Sequence, residues 1–438
     1  MLVVAKFGGS SVANATQFKK VKDIVLTNDA NNARNAVVIS ALGKKEKGDS
    51  KITDLLYLLH AHLKYNVPYT NIYDMIKERF EKVKAELNLT LDLDKEFNEL
   101  EKLLTKDIKE DFLVSRGEFI TSKLMSEYLG YGFVDAADVI KFNYDGTVNY
   151  ELTYELIEKA YLQKGKIVVP GFYGAYPNGT IKTFSRGGSD ITGAIVAAAL
   201  NATYYENWTD VSGILMTDPR IISKAKAIKE ITYAELRELS YMGASVLHEH
   251  TVFPVQKANI PIKILNTNSP LDAGTIIRED CTDKEQIITG IAGKKLFTSF
   301  TITKKQEVNK LSVIQSALNI FAKFNINVEH IPSSIDSFSV VVPSSDVTNN
   351  LYDVVTTLKA NPDIQDVHID DDIALIAVVG RNMVDKPGMS GRIFGTIGNN
   401  NINIKMIAQG SHELNIIVGV SNKDFEKTIN VIYDDLVK

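Results

Sequence analysis

The sequence predicts an α/β protein in which a mainly parallel sheet is sandwiched by helices and followed by two ferredoxin-like βαββαβ units. Three observations lead there. Over the first part of the chain, short apolar runs alternate with longer segments of helical period, the signature of buried parallel strands joined through helices. After Cys281 the rhythm tightens to closely spaced strands and helices. That tighter order then occurs twice.

Taken in order, Leu2–Phe7 reads as a strand, Thr16–Leu26 as a helix and Ala36–Ser40 as a second strand. Residues 51–113 are helical and polar, as expected for helices laid over one edge of the sheet. Lys166–Val169, Ile191–Leu200 and Ala202–Asn207 continue as strand, helix and strand. The first small unit runs Leu296–Thr303, Asn309–Phe324, Ile326–Pro332, Asp336–Val342, Asp346–Lys359 and Asp363–Ile369. The second runs Ala374–Gly380, Gly388–Asn399, Ile402–Gln409, Glu413–Val420 and Asp424–Val437. Asn325-Ile326-Asn327 and Asn401-Ile402-Asn403 fall at matching places, each just after an amphipathic helix.

Composition narrows the function. A formal net charge of −5 over 438 residues argues against a general nucleic-acid binder, which needs a basic excess to offset phosphate. Cys281 is the only cysteine, so no internal disulfide forms and a reducing, cytoplasmic setting is expected. No apolar run approaches the ~20 residues that span a bilayer, and the first residues read as a strand rather than a signal peptide.

Three segments carry candidate chemistry. Lys6-Phe7-Gly8-Gly9-Ser10-Ser11 closes the first strand, where open α/β sheets collect ligands. Paired glycines let backbone N–H groups approach an anion, and the lysine supplies an ammonium. Alone, the segment reads as a strand-to-helix turn with a surface lysine. Phe184-Ser185-Arg186-Gly187-Gly188-Ser189-Asp190 opens an apolar helix whose N-terminus favours anions, although Ser189 and Asp190 also suit helix capping. Trp208-Thr209-Asp210 with Thr217-Asp218-Pro219-Arg220 follows another strand and suits a nucleotide, or else an Asp-Pro turn. Ser115-Arg116-Gly117-Glu118 places a carboxylate near a predicted helix start, and Ser40 and Thr53 bracket a polar loop. His248-Glu249-His250 is expected to be structural, because i and i+2 histidines diverge on a helix. Asp370-Asp371-Asp372 reads as a solvated turn and Lys386–Gly391 as a helix start.

Together KFGGSSV, SRGE, FSRGGSD, WTDVSGI with TDPR, NIPIKILNTNSP and INIKMIAQG resemble the aspartokinase family of the amino-acid kinase superfamily, in the family's order and across nearly the whole chain. The resemblance implies an amino-acid kinase catalytic domain at 1–285 and paired ACT domains at 296–372 and 373–438, the second completed by a strand from 287–293. It implies a monofunctional enzyme, since the chain stops after the second ACT unit. It also implies roles. Lys6 and Asp190 would be catalytic. Ser40, Thr53, Glu118 and Arg186 would hold aspartate. Gly8, Gly9, Ser10, Ser189, Thr209, Asp210, Leu215 and Arg220 would join Lys6 in binding ATP, with Mg²⁺ brought in by the phosphates rather than by a separate protein metal site. Leu215, Ser245 and Glu249 depart from the family's commonest pattern around the nucleotide.

The implied product is β-aspartyl phosphate, at the head of lysine, threonine and methionine synthesis. An amino-acid effector is expected at Val328, Glu329, Ser333, Ser334 and Asp336, with lysine favoured and threonine the competitor, and a homo-oligomer through the ACT units. The alternatives are a superfamily kinase for another substrate, such as glutamate, acetylglutamate or a nucleotide, and a non-catalytic amino-acid sensor built from a dead kinase.

Overall fold

The opening strand lies at the centre of an eight-stranded sheet. The computed structural model describes every residue except 28–32, 47, 186, 245, 246, 248, 283–286, 382, 384, 385, 411–413 and 438. The chain divides into two compact units, the first comprising Met1–Ile214, Ala227–Tyr233 and Val246–Cys281. Its strands are β1 (Leu2–Phe7), β2 (Ala33–Ile39), β3 (Gly132–Phe133), β4 (Ile167–Pro170), β5 (Tyr173–Ala175), β6 (Ile181–Thr183), β7 (Tyr204–Thr209), β8 (Glu230–Thr232), β9 (Ile262–Asn266) and β10 (Thr275–Arg278). The sheet order is β3-β4-β2-β1-β7-β9-β10-β8, with β5 and β6 forming a separate pair. Neighbours are parallel except β9 and β10.

Because side chains alternate along a strand, β1 splits its residues between two faces. Ala5 and Phe7 enter a core shared with helices Ala15–Leu26, Ile52–Lys64, Thr70–Leu87, Leu93–Glu101 and Glu110–Leu129. Lys6 faces the other way, toward helix Gly188–Ala199. Residues 51–113 therefore do not drape over a sheet edge. Their inner sides bury Leu55, Leu59, Phe80 and Phe97, adding a helical layer to one face while the exposed sides give the segment its polar composition.

The second unit comprises Leu215–Lys226, Ala234–Ser245 and Thr282–Lys438. It holds a five-stranded sheet of β11 (Gly290–Lys304), β12 (Ser337–Pro343), β13 (Ile364–Val379), β14 (Met406–Gln409) and β15 (Asn415–Val420), ordered β12-β11-β13-β15-β14 and antiparallel throughout. Two strands run through both repeats. Phe297–Lys304 of β11 pairs with the first half of β13, and Gly290–Lys294 with its second half, across a bulge where Leu296 takes φ +67°. Phe300, Phe321, Phe338 and Val354 anchor the first repeat's core. The matched asparagines behave alike: Asn325 and Asn401 adopt φ +54° and +55° just beyond their helices, a conformation asparagine tolerates.

Several predicted elements differ. Ile326–Pro332 is irregular, meeting β12 through the His330–Val341 bridge and the Ser339 N–H donated to Pro332 O, while Ser333 bridges Phe338 beyond it. Ile402–Gln409 shortens to β14, and the helix over 346–359 breaks into Ser344–Val347 and Leu351–Lys359 around Thr348-Asn349-Asn350, residues of low helical propensity. Asp370-Asp371-Asp372 is no turn but part of β13. The Lys405 ammonium lies 3.0 Å from Asp370 and 3.6 Å from Asp372, offsetting their repulsion, and Asp372 accepts the Asn422 N–H. Glu413, expected to begin β15, lies outside the described residues.

Candidate active site

Lys6 and Asp190 meet, although 184 residues separate them in sequence: Lys6 Nζ stands 2.6 Å from Asp190 Oδ1. The lysine comes from the centre of β1 and is only 7% exposed. The aspartate is the third residue of helix Gly188–Ala199, which begins three residues earlier than its apolar pattern suggests. Gly187, at φ +56°, makes the entry turn without a side-chain cap, and a Cβ there would press on Thr251. Ser189 and Asp190 thus do not cap the helix. The Asp190 carboxylate is turned to the lysine.

A third side chain joins the pair. Lys6 pairs in register with Asn207 on β7, so both project from the same face. Asn207 Oδ1 accepts a hydrogen bond from Lys6 Nζ at 3.1 Å, and its Nδ2 donates to Asp190 Oδ1 at 2.9 Å. Its neighbours Glu206 and Trp208 point to the opposite face, where Glu206 is bound by Arg34 at 2.7 Å. A buried ion pair adds little net stability after desolvation, so an ammonium and a carboxylate kept together here indicate chemistry rather than scaffolding.

Around this pair the strand ends build a cradle. Gly8 N–H donates to Trp208 O at 3.0 Å, and the Ser11 hydroxyl meets that of Thr267 at 2.7 Å, tying the ends of β1, β7 and β9 together. The loop after β2 closes on the glycines: Gly43 N–H donates to Gly9 O at 2.9 Å. A Cβ on Gly43 would collide with the Gly9 backbone, so the chain can come this close only as glycine. Arg79 holds that loop from beneath by donating to Ser50 O and Gly43 O, with Asp49 3.5 Å away.

Glu118 approaches from helix Glu110–Leu129. It lies two turns inside the helix rather than at its start. The carboxyl is 4% exposed, accepts the N–H of Ala41 next to Ser40, and is pushed up to about 8 by burial, with the Ala41 bond and Arg116 opposing. Its Oε2 has no hydrogen-bond partner among the described residues. An ammonium would satisfy it.

Comparison with known proteins identifies the family. Residues 1–266 match the amino acid kinase family, and residues 376–436 match an ACT domain. Aspartokinase 3 of Bacillus subtilis is 33% identical over 451 residues, covering 99% of this chain and 98% of the relative. This chain belongs to the aspartokinase family. The crystal structure of Clostridium acetobutylicum aspartate kinase is similar to this aspartokinase chain with a TM-score of 0.91 at 42% identity, covering 99% of each. Escherichia coli aspartokinase III, solved with aspartate and ADP (R-state) and with lysine and aspartate (T-state), gives TM-scores of 0.77 and 0.76 at 27% identity over the whole of both chains.

The remaining predicted residues of this aspartokinase are placed unevenly. Ser40 directly follows β2, and Thr53 lies in the first turn of helix Ile52–Lys64, beside Ile52, whose side chain packs near Gly117. Thr209 and Asp210 sit at the end of β7, their side chains 3.1 Å apart. Leu215 and Arg220 fall in the segment Leu215–Lys226 of the second unit, where the exposed Arg220 pairs with Asp218. Arg186, Ser245 and His248 lie outside the described residues, as do the side chains of Glu249 and His250. Asn207, Thr267 and Arg79 were missed from the sequence. Nothing local in the sequence singles out Asn207, whose place depends on the pairing of β1 with β7.

In the second unit Ser333, Ser334 and Asp336 form an exposed hairpin tip, and Val328 packs on the first repeat's core. Asp336 already has the Lys304 ammonium 3.2 Å away, and Lys310 Nζ donates to Ser334 O at 2.9 Å. Glu329 accepts the Tyr241 hydroxyl.

Proposed function

We propose that this chain transfers the γ-phosphoryl group of ATP to the β-carboxylate of L-aspartate, giving β-aspartyl phosphate and ADP at the head of lysine, threonine and methionine synthesis in the cytoplasm. The convergence of Lys6 and Asp190 carries the reading. An aspartate carboxylate is ionised at pH 7 and needs no base to attack, so positioning and charge stabilisation supply the catalysis. An ammonium has three protons, and Asp190 and Asn207 take two of those on Lys6. The third is left for the phosphoryl oxygens. Gly8 keeps the approach open, for a Cβ there would stand 3.4 Å from Lys6 Nζ.

Magnesium fits as a guest of the phosphates. Among the described residues no three His, Cys, Asp or Glu side chains cluster as a metal site. Asp190 Oδ1 is taken twice, leaving Oδ2 as a single protein oxygen for an ion that keeps most of its ligands from phosphate and water. When bound, the ion would offset phosphate charge. Gly9, Ser10 and Ser189 face the phosphates in this reading, and Thr209 and Asp210 hold the nucleotide. Glu118 takes the α-ammonium of aspartate and Arg186 its α-carboxylate, with Ser40 and Thr53 lining the pocket.

Lysine is the proposed effector, at Val328, Glu329, Ser333, Ser334 and Asp336, in a homo-oligomer assembled through the ACT units. The lysine complex of E. coli aspartokinase III supports this choice. Trapping the acyl phosphate with hydroxylamine tests the main reading. Hydroxamate should form with aspartate and ATP, and preference for glutamate or acetylglutamate would overturn it.

A further inference from the structure

We infer that Asn207 is a positioning residue of the phosphoryl-transfer site, fixing which Asp190 oxygen and which Lys6 proton face the nucleotide. The inference rests on the kinase reading above and concerns how its charged pair is oriented. Asn207 is 4% exposed, sits on a central strand, and makes one bond to each member of the pair. Its amide offers an acceptor and a donor on one rigid plane, matching an ammonium on one side and a carboxylate on the other.

Among the described residues, the two donors that reach the Asp190 carboxylate choose the same oxygen. Lys6 Nζ and Asn207 Nδ2 converge on Oδ1, and no bond to Oδ2 forms among the described residues. The carboxylate is therefore locked edge-on, with one oxygen spent on the protein and the other presented outward. Tyr205 steadies the same turn from behind, its hydroxyl donating to Asp190 O at 3.1 Å. Without Asn207, the Lys6 ammonium would be free to rotate about its stem and to bridge both oxygens of Asp190. That bidentate arrangement neutralises the pair internally and withdraws charge from the phosphates.

The full chain is assayed with ATP, Mg²⁺ and aspartate between pH 6 and 9 as wild type, Asn207→Leu and Asn207→Asp, with thermal melts alongside. Asn207→Leu is expected to lower kcat about 10- to 100-fold, the usual loss for a removed outer partner, while the aspartate KM stays within about threefold. Asn207→Asp places a second carboxylate beside Asp190. Like charges at that distance raise one of the two pKa values. At low pH the shared proton restores a donor, so Asn207→Asp should approach wild-type kcat toward pH 6 and fall away toward pH 9, a slope the wild type lacks. A merely structural asparagine would lower the melting temperature without that slope. Wild-type kcat in Asn207→Leu, or an Asn207→Asp profile parallel to the wild type, overturns the role of Asn207 while leaving the kinase reading intact. A wild type with no turnover overturns both.

Discussion

The Glu118 carboxyl accepts the backbone N–H of Ala41 and leaves Oε2 without a partner among the described residues. Burial holds this group up at about 8, so near neutral pH the empty site keeps a proton that a bound ammonium would displace. The aspartate KM should therefore fall as pH rises from 7 to 9. Glu118→Gln should raise that KM about 10- to 100-fold, the worth of a hydrogen bond to a charged group, and remove its pH dependence. Steady-state kinetics across pH would check this.

The same shift has a stability consequence. Between the ordinary glutamate value and about 8, the folded chain binds the Glu118 proton and the unfolded chain does not. Stability contributed by this group is thus lost as pH rises through that window. Glu118→Gln escapes the loss, so its melting temperature relative to wild type should climb between pH 5 and pH 9. A gap that stays constant or shrinks would contradict the burial argument.

Replacing Lys6 by alanine should lower kcat by roughly 10³-fold, since the only ammonium in contact with Asp190 among the described residues would be gone. Asp190 is 20% exposed at its side chain and Asn207 still reaches it, so the far-ultraviolet circular dichroism should be unchanged. Retained turnover would remove the lysine from the reaction.

Two glycines give opposite expectations. Gly43→Ala forces a Cβ into the Gly9 backbone and should lower both melting temperature and activity. Gly8→Ala meets only ordinary contacts, 3.4 Å from Lys6 Nζ and 3.5 Å from Trp208 O. It should fold normally and raise the ATP KM instead. Melting curves and nucleotide titrations separate the two effects.

Calorimetry with lysine and with threonine tests the effector. Glu329→Gln should raise the lysine concentration for half-inhibition about tenfold or more. Asp336→Asn should do less, because that carboxylate is 60% exposed and already faces Lys304. Heat with threonine and none with lysine would reassign the ligand.

Much of this was legible in the sequence because it depends on local patterns. Glycines beside Lys6, the run before Asp190 and the twin asparagines at 325 and 401 each reflect a short-range backbone demand. What stayed hidden depends on pairing between distant segments. Asn207 looks like any strand residue until β1 and β7 are set in register, and Arg79 like any helix cation until the Gly43–Ser50 loop folds over it. Three consecutive aspartates looked like a turn because Lys405, which offsets their charge, lies more than 30 residues away. Glu118 was assigned to a helix start because nothing local announces that the helix begins at Glu110.

The two long strands of the second unit make its repeats inseparable. Each of β11 and β13 belongs half to one repeat and half to the other, so cutting the chain near Asp372 would leave β11 with half its ladder bare and β15 without its inner neighbour. Exposed edges of that length recruit other chains. The halves should melt together in a single transition, and a fragment ending there should precipitate rather than persist as a smaller sensor.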